Sequence, residues 1–411
     1  MFLSSLRQAL AALMVAVLVS ACGGGGSSAP PPAGGITVTA GDGTATVTWA
    51  SVPGVRYWLF YAPAASISSA DWINVPGSVA LLNVTSPYVV TGLTNGYTYS
   101  FTVNGRNGDG PGGPGSPSVS ALPRPAGGTW SIGGSLGSNT IRNLTYGTST
   151  ADSISYYFAV GDTGSAYRST DGRTWSGLPA PAATTLNATL YTFGKFVVIG
   201  ANGSATYSTD MATWTASSTG TTANLNAIAS SGTRDIVVGD GGTILSSLDG
   251  ALWTALTSPT SNNLYGITYS STNGIWTAVG AAGTLLTSAD GTTWASVASG
   301  TTVDLRAVTV QQAVGGDVRI AGGNSGTILR SSDNGVTWAT QSSGTSANLL
   351  ALSATSSQFL ATGTGGAVIT SPDGVNWTNR ASGTIADLYA VLSKLSQYVA
   401  IGQGGVSINS Q

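Results

Sequence analysis

The sequence has no histidine, and all 16 of its acidic residues are Asp, so glutamate is missing as well. Without imidazole there is no base for a Ser/His/Asp triad, no usual zinc ligand and no side chain that titrates unperturbed near neutrality. Charge of either sign is scarce: 7% of residues are charged, against roughly 25% in an average soluble protein. Lys195 and Lys394 are the only lysines, and the formal net charge is −2. A surface so poor in cations releases few counterions from a polyanion, which argues against DNA or RNA as a partner. Nothing in the composition calls for a metal, a cofactor or a catalytic group.

Cysteine occurs once, as Cys22, preceded by Arg7, an apolar run from Ala9 to Val19, and Ser20-Ala21. That run is too short to span a bilayer and has the length of a signal-peptide core. Val19-Ser20-Ala21-Cys22 resembles a lipobox, which implies cleavage before Cys22, acylation of that residue and a lipid anchor in a bacterial cell envelope. Each buried CH₂ of the acyl chains would add ~0.8 kcal/mol. Gly23 follows where Asp would signal retention in the inner membrane, so an outer-membrane lipoprotein is expected. Residues 1–21 read as the leader. Residues 22–35 read as a Gly/Ser/Pro tether that stiffens at Pro30-Pro31-Pro32.

What the chain has in plenty is Gly, at 58, and Trp, at 11. Short apolar runs between turn residues predict an all-β protein. Over residues 36–122, apolar side chains recur at period two in Ile36–Thr39, Thr46–Trp49, Arg56–Tyr61 and Tyr97–Val103. This segment resembles a fibronectin type III β-sandwich, with Trp49 on the second strand and Tyr57 to Tyr61 on the third. Gly92 to Phe101 looks like that family's tyrosine corner, in which a Tyr hydroxyl bonds back to the preceding loop. The resemblance implies a spacer. Residues 123–129 form a short linker.

The rest, 130–411, repeats itself. Trp175, Trp214, Trp253, Trp294, Trp338 and Trp377 follow one another at steps of 39, 39, 41, 44 and 39 residues, a period in the propeller range. Each closes a hairpin built on Ser-x-Asp, with Asp171, Asp210, Asp249, Asp290, Asp333 and Asp373 at the tips. The expected device is a turn in which the carboxylate gathers backbone N–H groups and Gly takes positive φ. The second copy has Met211 in place of Gly, which predicts a distorted turn. Each Trp is expected to seal the gap to the next blade. Inner strands begin at Ile141, Leu186, Leu225, Leu264, Leu305, Leu349 and Leu388. Seven starts face only six following Trp strands, and Gly128-Thr129-Trp130 stands unused at the front. Donating it to the last blade would close seven blades and remove both sheet edges. Thr129–Ile132 should therefore lie beside Val406–Ser410.

These repeats, such as Gly242–Trp253 and Gly283–Trp294, resemble the Asp-box (BNR) propellers, and within them the photosystem II stability/assembly-factor-like group. The fold class is accordingly all-β, a fibronectin type III sandwich followed by a seven-bladed propeller closed by an N-terminal strand. Asp-box propellers include glycosidases. A carbohydrate-active enzyme on this chain would have to use Asp152, Asp162, Asp235, Asp240, Asp304, Asp317 and Asp387, the Asp outside the boxes and within the repeats. Asp304 and Asp387 share their place with Asn224, Asn263 and Asn348. Such interchange points to a local Asx turn rather than to acid/base chemistry.

A binding protein is the preferred reading, with a protein or a polysaccharide as partner. The residue after each inner-strand start differs from blade to blade: Arg142, Asn187, Asn226, Tyr265, Arg306, Leu350 and Tyr389. Variable side chains on a repeated scaffold are where a propeller reads a ligand. The ligand set is therefore Arg142, Asn226, Tyr265, Arg306 and Tyr389, on the face opposite the boxes, with the arginines and tyrosines suited to an anionic or sugar-like group.

Overall fold

The computed structural model describes residues 27–41, 43–94, 97–123, 127–312, 316–355, 357–394 and 397–410. The leader and Cys22 lie outside them. The chain divides into two compact units, Met1–Arg124 and Pro125–Gln411. Each is taken by itself.

The first unit is a β-sandwich. Its smaller sheet joins Ile36–Gly41, Thr44–Trp49 and Tyr88–Val90. The larger is built on Val55–Ala62 and Tyr99–Asn107, flanked by Val79–Val84 and Val119–Ala121. Ser28 and Ala29, inside the segment read as tether, pair with Arg106 and Gly105 and add a further strand to that sheet. Alternate residues from both sheets, among them Val47, Trp49, Tyr57, Leu59, Phe101 and Val103, fill one core. The Tyr99 hydroxyl accepts the backbone N–H of Thr94 at 3.2 Å, the corner expected there.

The second unit contains seven four-stranded antiparallel sheets among the described residues. Blades 1 to 6 span 141–177, 186–216, 225–255, 264–296, 305–341 and 349–380. Blade 7 takes three strands from 388–410 and its fourth from the front of the unit, Ser131–Ile132. Ile132 pairs with Ile408 and Ser131 with Asn409. Each inner strand touches the next, and the seventh touches the first, so the ring is closed.

Between the second and third strands the chain reverses in a three-residue turn whose central residue has positive φ in every blade, from Thr163 (55°) to Gly404 (63°). The glycine that follows is required: at Gly203 a Cβ would stand 1.9 Å from the Thr221 carbonyl oxygen. The Ser-x-Asp turns at the opposite end share one geometry. In blade 1, Ser169 Oγ donates to Asp171 Oδ1 and accepts the Gly172 N–H, each at 2.8 Å. Asp171 Oδ1 also takes the N–H groups of Arg173 and Thr174 at 2.8 Å. Met211 does not distort its copy. It adopts φ 60° and gives its N–H to Ser208 Oγ at 2.8 Å. Its side chain, fully buried, packs among Phe158, Phe196 and Val198. The burial offsets the backbone cost.

Each of these Trp seals the gap to the preceding blade, not the next. Trp214 of blade 2 lies on Phe158 of blade 1, ring centroids 5.6 Å apart. Trp253 packs on Val197 and Ile199, and Trp377 on Ile320 and Ile328. Trp130, serving blade 7, packs on Leu360 and Val368 of blade 6.

Candidate functional site

Every inner strand begins with the same irregularity. In blade 1, Ile141 pairs with Gly161 and Asn143 with Val160, so Arg142 is a bulge with no partner across the ladder. The register shift recurs around Asn187, Asn226, Tyr265, Arg306, Leu350 and Tyr389. A bulge bends its strand and re-aims the extra side chain. All seven residues line one cavity of about 360 Å³ enclosed by the inner strands. The structure therefore brings together all five ligand-set residues, and it places them on the face opposite the Ser-x-Asp turns.

The two arginines are engaged within the protein. Arg142 Nε lies 2.5 Å from Asp162 Oδ1, and its second nitrogen reaches Asp162 Oδ2 at 3.3 Å. Arg306 is held by Asp304 at 3.0 Å and by Asn324 Oδ1 at 3.1 Å. Both guanidiniums stand over tyrosine rings from the adjacent blade, Arg142 over Tyr389 at 5.7 Å and Arg306 over Tyr265 at 4.4 Å. Asn226 Nδ2 donates to Asp240 Oδ1 and to the Leu264 carbonyl of the next blade, both at 2.9 Å. Asn187 does the same to Leu225, at 2.9 Å. The arginines are neutralised in place. Asp162 holds one guanidinium and Asp304 the other, and neither carboxylate is among the residues that line the cavity itself.

Asp304 and Asp387 are not local Asx turns. Asp304 Oδ1 accepts the N–H of Ala282 at 2.9 Å, and Asp387 Oδ1 that of Gly365 at 2.8 Å. Asn224, Asn263 and Asn348 take Asn202, Gly241 and Ser325 in the same way, at 2.9–3.1 Å. Each is a bond from the start of one blade to the central turn residue of the blade before it. Asp and Asn interchange because this bond needs only an acceptor oxygen. No signal local to one blade reveals this, since donor and acceptor lie 22 or 23 residues apart.

The other Asp proposed for catalysis are enclosed or engaged elsewhere. Asp235 is fully buried, takes the Thr192 hydroxyl at 3.0 Å, and burial raises its pKa. Asp317 and Arg319 are buried together 3.5 Å apart, with Ser270 and Asn273 also bonded to Asp317. Asp152 takes the Tyr156 hydroxyl at 2.7 Å, which together with the Ile154 N–H holds its pKa down. Among the described residues, no group of three or more His, Cys, Asp or Glu is arranged to hold a metal.

Residues 29–121 match the family model described as Fibronectin type III domain. The chain is also similar to three solved structures. One is described as YCF48 bound to D1 peptide, with 20% identity, a TM-score of 0.56, and coverage of 68% of this chain and 94% of that one. The second is YCF48 from Cyanidioschyzon merolae, with 18% identity, a TM-score of 0.56, and coverage of 69% and 98%. The third is the WD40 beta propeller domain of Doa1, with 12% identity, a TM-score of 0.55, and coverage of 69% and 96%. At these identities what is shared is the propeller fold. No curated protein matches the sequence.

Proposed function

We propose that this chain is a non-enzymatic binding protein of the cell envelope, anchored by lipid on Cys22, whose propeller takes up a segment of a partner protein at the channel mouth. The observation that carries the reading is the ring of seven bulge residues, Arg, Asn, Tyr or Leu according to the blade, turned into one cavity by a repeating backbone. A repeating scaffold that varies its side chains around a cavity is suited to read something there. With its arginines already paired, and with asparagine amides and tyrosine hydroxyls around it, the mouth suits a polar, largely uncharged segment held by hydrogen bonds. That one similar propeller was solved with a peptide supports a protein segment over a polysaccharide. In this reading the Ser-x-Asp turns are Asp boxes with a structural role only, and the propeller belongs with the Asp-box group.

The test is site-directed photocrosslinking of the anchored protein in cells. A photoreactive residue at Leu350, in the mouth, should give an adduct that protease removes. The same residue at Leu252, exposed on the opposite face, should not. Tyr265→Ala with Tyr389→Ala should abolish the Leu350 adduct. Equal labelling from both faces, or an adduct that a glycosidase removes and a protease does not, overturns the proposal.

A further inference from the structure

The sandwich carries a cleft that its spacer role does not explain. The strand Val55–Ala62 is apolar on both faces: Tyr57 and Leu59 enter the core, while Trp58, Phe60 and Ala62 point outward. A half-solvated strand would carry polar residues on that second side. Ser100, Thr102, Asn104 and Arg106 share this outer face, with Trp58 directly opposite Asn104 and Arg56 opposite Arg106. Two loops cover part of it. One brings Ile67 onto Phe60 and Ala62. The other is pinned by the Gly113 N–H to the Gly105 carbonyl at 2.9 Å and the Ser116 N–H to Val103 at 2.8 Å. Between them lies a cleft of about 560 Å³, lined by Trp58, Trp72, Asn104, Arg106, Ser68 and Ser69.

Arg106 lies flat on Trp58, its Cζ 3.2 Å from the ring centroid. It is half-buried and makes no ion pair or hydrogen bond among the described residues. Its neighbour Arg56 has Asp109 at 2.6 Å. Burial pulls the pKa of Arg106 down, the mark of a cation that has lost water and gained no counter-charge. Asn104, only 4% exposed, has an amide oxygen with no partner. A desolvated guanidinium beside an orphan amide costs free energy unless something else completes the site.

We propose that this cleft binds a carboxylate-bearing sugar, a uronate residue of an acidic glycan. With one face on Trp58, the guanidinium offers its N–H edge to the carboxylate in the two-point geometry that arginine favours. Trp72, partly exposed at the cleft, offers a surface for the apolar side of the ring. Ser69 and the Asn104 amide supply hydroxyl recognition, whereas Ser68 is already bonded to Asp71. A wall of hydroxyls and an amide beside aromatic rings suits a sugar, which hydrogen-bonds along its edge and packs its apolar side on an indole.

The experiment is calorimetry on the full chain with trigalacturonate, neutral galactotriose and an N-acetylated tripeptide with a free carboxyl end. Trigalacturonate should bind at least ten-fold more tightly than either of the others. Arg106→Gln should weaken it ten-fold or more, and Arg56→Gln should leave it unchanged. If Arg106→Gln lowers the melting temperature, Ala70→Asp decides the matter. It sets a carboxylate at the exposed rim without touching the core and should weaken binding to a similar degree. Equal affinity for charged and neutral trisaccharides, tighter binding of the tripeptide, indifference to both Arg106→Gln and Ala70→Asp, or no binding at millimolar trigalacturonate would each overturn the proposal.

Discussion

The backbone N–H of Gly127 donates to Ser410 Oγ at 2.6 Å, across 283 residues of chain. The same bond joins Gly172 to Ser169 within the first blade. Trp130 Nε1 then donates to the Gly127 carbonyl at 3.0 Å, as Trp338 does to Gly335 at 3.1 Å. The seventh turn is thus assembled from two ends of the propeller, with serine from one and glycine and tryptophan from the other. Ring closure is a side-chain and turn interaction as much as a strand pairing.

If that closure contributes as the other blades do, Trp130→Ala should destabilise the propeller about as much as Trp377→Ala, by roughly 3–5 kcal/mol. Ser410→Ala, which leaves the Gly127 N–H unsatisfied, should cost about 1–3 kcal/mol. Denaturant midpoints followed by tryptophan fluorescence measure both. A Trp130→Ala midpoint equal to that of the unaltered chain would mean that the donated strand does not hold the ring shut.

Acid should unfold the propeller. Backbone N–H groups hold Asp210, Asp249 and Asp290 below the ordinary carboxylate range, and Asp333 is lowered to about 2 chiefly by the Thr337 hydroxyl. Each folded pKa lies under its unfolded value of about 3.9. The stabilisation is therefore complete above that value and lost as pH falls through the folded one. With no His or Glu in the chain, the denaturant midpoint should be nearly flat from about pH 5 to 8 and drop between about pH 4 and 2. A midpoint unchanged at pH 2.5 rules out the carboxylate turns as contributors.

Asp235 has the opposite sign. Burial raises its pKa, so its ionised form is penalised in the folded state. The contribution to stability is present below the unfolded pKa and lost as pH rises through the raised value. Asp235→Asn keeps an acceptor for Thr192 and removes the charge, so at pH 7 it should stabilise by about 1 kcal/mol. The gain should shrink as pH is lowered toward 4. A loss of stability at pH 7 would show that Lys195 and the neighbouring hydroxyls already compensate the charge.

Met211→Gly restores the usual turn residue and relieves roughly 1–2 kcal/mol of left-handed backbone cost. It also removes a fully buried side chain, and losses of that kind run to about 2–5 kcal/mol. The expected balance is a net destabilisation of about 1–3 kcal/mol, read from the same denaturant midpoints. A more stable variant would mean that the side chain fills no space the fold needs.

Replacing Asp387 separates an acceptor from an acid. Asp387→Asn keeps the bond to the Gly365 N–H and should change stability by less than about 0.5 kcal/mol, whereas Asp387→Ala should cost about 1 kcal/mol. Ligand uptake at the mouth should survive Asp387→Asn. Equal losses for the two variants would argue that the charge itself matters.

The repeat of Ser, Asp, Gly and Trp was enough, by itself, to determine the hairpins, the blade period and the need for a donated strand, because a turn and its strands obey rules that act within about ten residues. Alternation alone likewise marked Val47 and Trp49 as the side of their strand that meets the sandwich core. Tertiary structure decided the rest. Trp214 lies against the blade before it, a neighbour that no rule local to its own hairpin names. Asp304 and Asn348 share a role only because a donor 22 or 23 residues earlier in the chain arrives beside them. The pairing of Arg142 with Asp162 and the isolation of Arg106 from any carboxylate are equally unreadable in the chain. Charge balance at a site is set by which loops converge there, and convergence is a property of the closed ring and the packed sandwich.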